Sequence, residues 1–268
     1  MSKLSPGYLQ RFGGIGRLYG SNALEHLASA HFVVLGIGGV GTWAAEALAR
    51  SGVGQLTLVD LDDICITNTN RQIHTLAHTV GRVKTAEMAE RLQAINPDIT
   101  VNEVADFIDA ENLRAIIQPE HSGVLDAIDS ATDKAAVIAY CKRQKLPFIT
   151  VGSAGGKRDP RLITSADLTK TTNDPLLAKT RNMLRRHYNF SRNTQRVFSV
   201  EAIYSTEQMV YPTPDGEISY SASVMTEGGK LDCSGGFGAA TMITGTFGFV
   251  AASRLINRYL IKQLKKSC

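Results

Sequence analysis

Closely spaced glycines, a distant acid and a short run of amides and cations carry the chemistry of this chain. Gly36, Gly38 and Gly41, with Gly39 between them, form GxGGVG directly behind the apolar residues Phe32–Leu35. Glycines at this spacing let backbone N–H groups approach a phosphate at the positive end of a following helix, here Val40–Arg50. Asp60 follows about 20 residues later, where an acid holds a ribose hydroxyl. These features say nucleotide without saying which one. Asn68, Arg71, Gln72 and Lys84 point to a triphosphate, because a cation at a helix start opposes the helix dipole unless an anion lies beside it. An acid facing a polyphosphate is repelled unless a divalent cation lies between them, so Asp129 reads as a magnesium ligand. Two structural readings compete: Arg71 pairs with Asp62 or Asp63, and Asp129 caps the helix that follows at Ala131–Cys141.

Positioning these groups takes a doubly wound, mainly parallel α/β sheet, whose ligands bind at the carboxyl ends of the strands. Short apolar runs predict strands at Phe32–Leu35, Gln55–Val59, Gly123–Ile128 and Pro147–Val151. Asp126 and Asp129 then emerge from the third strand, and Ser153–Gly156 follows the fourth as backbone available to a substrate pocket. Arg196–Tyr204 and Gln208–Tyr211 read as further strands of a C-terminal elaboration. Asn22 with Glu25 reads as a capping box opening the first helix.

GxGGVG at 36–41, VDLD at 59–62, NTNRQ at 68–72, VGRVK at 80–84 and DAIDS at 126–130 resemble the ubiquitin-activating-enzyme-like adenylating enzymes, in order and spacing. The resemblance implies ATP and Mg2+ as cofactors, with Asp60 on the ribose and Asp62 in the same pocket. It places Asn68, Arg71, Gln72 and Lys84 on the phosphates and Asp129 on the metal. It further implies attack of a carboxylate on the α-phosphate, giving an acyl-adenylate and pyrophosphate. A homodimer is implied as well, with an arginine of one subunit's N-terminal segment reaching the other's ATP. That segment here is RFGGIGRLYG, where Gly14 replaces the usual second arginine and leaves Arg11 or Arg17 for the role. The implied division is a nucleotide-binding adenylation region, 1–155, and a substrate-binding and dimer-contact region, 156–268, packed with it as one unit.

Departures narrow the branch. The chain has Cys65, Cys141, Cys233 and Cys268 and no CxxC pair, so the four-thiolate zinc site of many relatives has no ligands here. Over its whole length, including residues 157–186 and 231–242, the chain is similar to the branch that acts on tRNA. That branch activates the threonyl carboxylate of a threonylcarbamoyladenosine beside the anticodon and closes a ring on it, releasing AMP and pyrophosphate. Activation of a sulfur-carrier or ubiquitin-like protein is the runner-up, with a sulfur-transfer protein as a possible partner. An RNA-binding adaptor that keeps an ATP pocket without turnover is a third reading.

Charge points to an RNA partner on separate grounds. Residues 157–196 hold ten Lys or Arg against three Asp, while the whole chain carries +4. Clustered cations that neutralise phosphates are the main source of nucleic-acid affinity. Lys179, Arg181, Arg185 and Arg186 decorate the helix expected at Pro175–His187, an ordinary solvated helix being the competing account. Tyr188 and Phe190 beside Arg192 are candidate base-stacking groups.

Scattered cysteines and the lack of an apolar leader fit a cytoplasmic protein. Cys233–Ser253 has no charge over 21 residues, long enough for a membrane span. Its glycines and hydroxyls argue instead for a helix packed on the sheet or on a second subunit, followed by a basic amphipathic helix at Arg254–Lys266. His74 and His78 lie four apart but lack a third metal ligand, which favours a structural role. Cys233 precedes a glycine-rich helix start that could lower its pKa, and a buried apolar role is the plainer account.

Overall fold

The structure, a computed structural model, describes residues 4–221 and 237–267. Two helices, α1 (Pro6–Tyr19) and α2 (Ser21–Ala28), precede the alternating core. The core runs β1 (His31–Leu35), α3 (Gly41–Arg50), β2 (Gln55–Val59), α4 (Lys84–Ile95) and β3 (Thr100–Val104). It continues through α5 (Leu113–Ile116), β4 (Gly123–Asp126), α6 (Ala131–Arg143), β5 (Phe148–Val151), β6 (Ile163–Asp167), α7 (Pro175–His187) and β7 (Glu201–Ser205). A small hairpin, β8 (Tyr211–Pro212) with β9 (Ile218–Ser219), and a long helix, α8 (Thr241–Ser267), complete the described chain.

Seven strands form one sheet in the order β3-β2-β1-β4-β5-β7-β6. All neighbours are parallel except β6 and β7, which pair antiparallel. Phe32 to Leu35 of β1 are wholly buried, as a strand covered on both faces must be, which is why the sequence reads there as unbroken β-branched and apolar residues. One face packs α3, α4 and α8, the other α6 and α7.

The uncharged C-terminal run folds against α3. A Cβ at Gly248 would stand 2.7 Å from the Val40 carbonyl oxygen, so only glycine lets the two helices approach this closely. Among the described residues no helix is long and apolar enough to cross a membrane. The basic segment Arg254–Lys266 is no separate helix, since α8 runs unbroken from Thr241. Cys233 lies outside the described residues.

Three local expectations fail for identifiable reasons. Gly20, not Asn22, caps α2, with no side-chain capping bond, and α1 already precedes it. The strand expected at Arg196–Tyr204 shortens to Glu201–Ser205, because the N–H groups of Phe198 and Val200 donate to the Asp167 carboxylate and Ser199 adopts φ +55°. The strand expected at Gln208–Tyr211 reduces to Tyr211–Pro212. Edge strands β3 and β6 escaped the sequence pattern, since their residues are partly or fully exposed and read as polar.

Candidate nucleotide site at the carboxyl edge

β1 and β4 are neighbours whose following helices cover opposite faces, which opens a crevice at their carboxyl ends. Gly36 enters it with φ +83°. A Cβ there would stand 3.0 Å from the Ala127 carbonyl oxygen, so the glycine loop lies against the loop leaving β4. At Gly38 a Cβ would find only the Gln72 amide nitrogen, 4.0 Å away, which leaves this face of the loop open. Gly39 rests on Arg71 and Thr244. Gly41 serves the turn itself, since a Cβ would overlap the Gly36 carbonyl oxygen at 1.8 Å.

Asp60 locks the loop from below. Its carboxylate accepts from the Ile37 N–H at 2.7 Å and the Asp62 N–H at 2.9 Å. Lys84, the first residue of α4, is buried, with its ammonium 2.6 Å from Asp62 and 3.5 Å from Asp60. The anion inferred to offset Lys84 is therefore present within the chain, as Asp62. An ammonium has three donors, so capacity remains for a phosphate.

The NTNRQ segment is held by two helices. The Trp43 indole donates to the Arg71 carbonyl at 3.0 Å, and the Thr241 and Thr244 hydroxyls donate to the carbonyls of Asn70 and Arg71. The Arg71 guanidinium donates to the Thr67 carbonyl and the Asn70 side chain, each at 2.9 Å, and pairs with neither Asp62 nor Asp63. Asn68 is buried, its side-chain oxygen accepting from the Cys65 N–H at 3.0 Å. Gln72 is buried with its Oε1 lacking a partner. His74 is buried and His78 exposed; burial first, and the Lys84 charge second, push the His74 pKa down to about 4.

The two acids after β4 part company. Asp126 is wholly buried, paired to Lys134 at 2.8 Å and accepting from Thr150 at 2.6 Å, so it belongs to the core. Asp129 is exposed and has no partner among the described residues. Ser130 caps α6, which removes the capping role considered for Asp129. The buried cation Lys134 was missed because the sequence pattern marks charged helix positions as solvated.

Residues 14–265 match the model of the ThiF family. The chain belongs to that family. A tRNA threonylcarbamoyladenosine dehydratase of Haemophilus influenzae is 52% identical over 256 residues, covering 96% of this chain and 95% of that protein. Its namesake in Escherichia coli K12 is 48% identical, covering 98% of each. The crystal structure of the E. coli tRNA N6-threonylcarbamoyladenosine dehydratase in complex with ATP superposes with a TM-score of 0.87 at 46% identity, over 98% of this chain and 99% of that one.

The ThiF-family chain places its other candidate groups away from the glycine loop. Tyr8 and Phe12 seat α1 on Gly52, where α3 turns back toward the start of β2, so exposed Arg11 and Arg17 belong to the amino edge of the sheet. On α7, Lys179 and Arg186 are exposed. Arg181 is not free in the same way: its guanidinium donates to the carbonyls of Leu168 and Thr171, each at 3.2 Å. Arg185 lies 5.4 Å over the Phe198 ring. Phe190 meets Phe198 edge to face, and Tyr188 packs on the same cluster, so both aromatics commit one side to the core while staying half-buried. The Ser153 N–H donates to Asp174 at 2.9 Å, a buried acid that sequence reasoning passed over although it is the N-cap of α7.

Proposed function

We propose that this chain uses ATP to adenylate the carboxylate of a threonylcarbamoyl group on the adenosine beside a tRNA anticodon, and then closes a ring with net loss of water. The observation carrying the reading is the extent of the similarity: relatives bearing that activity in their names match across both halves of the chain. The adenylation motifs alone occupy only the first half.

The carboxylate oxygen bonds to the α-phosphorus as the bond to the β-phosphate oxygen breaks and pyrophosphate leaves. One atom of the carbamoyl group then attacks the activated carbonyl, expelling AMP and losing a proton. Both reacting ends share one molecule, so the high effective molarity of an intramolecular step leaves the protein mainly to orient them and exclude water. The open glycine loop and Asp60 seat the nucleotide. Arg71 and Lys84 offset the charge developing on the phosphates, with Asn68 and Gln72 as amide donors. Asp129 fits Mg2+ because its charge is uncommitted, whereas Asp62 is engaged by Lys84. Asp129 would hold the metal, which would supply charge neutralisation.

Residues 1–155 carry the nucleotide work and 156–268 the substrate, with Lys179 and Arg186 meeting RNA phosphates. The protein acts in the cytoplasm as a homodimer, Arg11 or Arg17 reaching the ATP of the opposite subunit. Support for this last point is the placement of both arginines at the edge remote from their own nucleotide loop.

Pyrophosphate release tests the reading. It is expected with ATP and threonylcarbamoyl-modified tRNA. Release only with a sulfur-carrier protein would replace the substrate, and release with neither would leave an RNA-binding adaptor.

A further inference from the structure

A cavity of about 280 Å3 lies against the N-terminus of α7, where Asp174 binds the backbone leaving β5. Asp174, Ala178, Arg181, Tyr211 and Tyr220 line it. No residue given a role at the nucleotide loop takes part. Each oxygen of the buried Asp174 carboxylate accepts one backbone N–H, from Leu177 and Ser153, and each retains a lone pair. Burial, the leading influence, raises the Asp174 pKa. The Arg181 guanidinium is anchored through one nitrogen to Leu168 and Thr171, which fixes the fork while its other N–H groups stay available. Tyr211 is steadied by an edge-to-face contact with Phe237 at 5.7 Å.

We propose that this cavity receives the modified base itself, a purine whose exocyclic nitrogen carries the carboxylate arm; the inference rests on the tRNA reading above. Carbamoylation leaves N–H donors on the arm, which an acceptor such as Asp174 matches. The ring nitrogens are acceptors, which Arg181 matches, and the tyrosines offer stacking faces of the kind that hold splayed-out RNA bases. The volume falls just below the roughly 300–1,000 Å3 of drug-sized pockets, so it takes one base and not an oligonucleotide. Position agrees. β1, β4 and β5 are consecutive in the sheet, so Ser153 and the glycine loop stand two strand spacings apart, roughly 10 Å. That is a gap which a base-linked carboxylate can bridge to reach the α-phosphate.

Filling the cavity tests this. Ala178→Phe and, separately, Tyr211→Leu should raise the KM for threonylcarbamoyl-modified tRNA about tenfold or more, the scale of a lost stacking contact. ATP affinity and the salt slope of tRNA binding should stay at wild-type values, because no phosphate contact is touched. The binding preference for modified over unmodified tRNA, measured by titration without ATP, should collapse in both variants. If Ala178→Phe does not fold, Tyr211→Leu decides alone. Wild-type protein with no tRNA-dependent pyrophosphate release would sink the tRNA reading and this subsite together. A working wild type whose folded variants keep its KM and its preference would overturn the subsite only.

Discussion

Lys134 and Asp126 meet at 2.8 Å with neither side chain accessible to solvent. Thr150 binds the other carboxylate oxygen and the Ile128 N–H donates at 3.2 Å, so the pair ties α6 to β4, β5 and the loop that carries Asp129. Lys134→Met strands a buried charge and should cost about 3–5 kcal/mol in urea unfolding. Replacing both partners, with Asp126→Leu added, should restore much of the loss. A single-variant cost near zero would mean that water reaches the pair.

Asp129 stands apart from every such network. Asp129→Asn should abolish pyrophosphate release while the thermal midpoint stays within about 1–2 °C, as for a surface change away from special features. Full activity in that variant would remove the acid from the metal role.

Lys84 carries charge to the nucleotide phosphates in the proposed mechanism. Lys84→Met should lower the rate of pyrophosphate release roughly 100- to 1,000-fold, the scale of one oxyanion-type contact. Isothermal titration of the wild type should show ATP with magnesium binding far more tightly than NAD. Comparable NAD affinity would contradict the triphosphate assignment of this site.

On α7 the cations divide by exposure. Lys179→Glu with Arg186→Glu should weaken tRNA binding and flatten its salt dependence by about 0.7–0.9 per lost phosphate contact, leaving ATP affinity alone. Arg181→Glu should leave that slope unchanged and lower the thermal midpoint, because it breaks the bonds to Leu168 and Thr171. An unchanged slope in the double variant would move the RNA track off α7.

His74 sets an acid limit. Its pKa sits at about 4, below the ordinary 6.5, so the unfolded chain binds the proton first as pH falls. The stability from the neutral buried ring is present above 6.5 and drains away between 6.5 and 4. His31, also pushed down to about 4, acts in the same direction. His74→Leu should therefore reduce the loss of stability between about pH 7 and pH 5, measured by chemical denaturation, without abolishing it. An identical loss in both proteins would show that the ring is protonated in the fold.

The central strands were legible because burial on both faces leaves an unbroken apolar run, as at Phe32–Leu35, and the glycine loop because its spacing is set by backbone geometry. Edge strands were not, since Thr100–Val104 meets solvent and keeps its polar residues. Charged residues carried the hardest lesson. Arg181 reads as decoration on a helix face, and Lys134 and Asp174 carry no motif, yet Lys134 pairs with Asp126, Arg181 is anchored on Leu168 and Thr171, and Asp174 binds Ser153 across the fold besides capping α7. Phe190 and Tyr188, aromatics next to cations, turn one side to the core: Phe190 meets Phe198 edge to face and Tyr188 packs on the same cluster.

α8 runs 27 residues without a break, about 40 Å of rod. Its first turn is bonded to Asn70 and Arg71 at the carboxyl edge, and further along Tyr259 donates to the His26 carbonyl of α2 at 3.0 Å. Opening either end therefore disrupts a strut that the other end shares. The nucleotide loop and the amino-terminal helices are thus joined through one strut, and their amide protons should exchange together rather than on separate schedules.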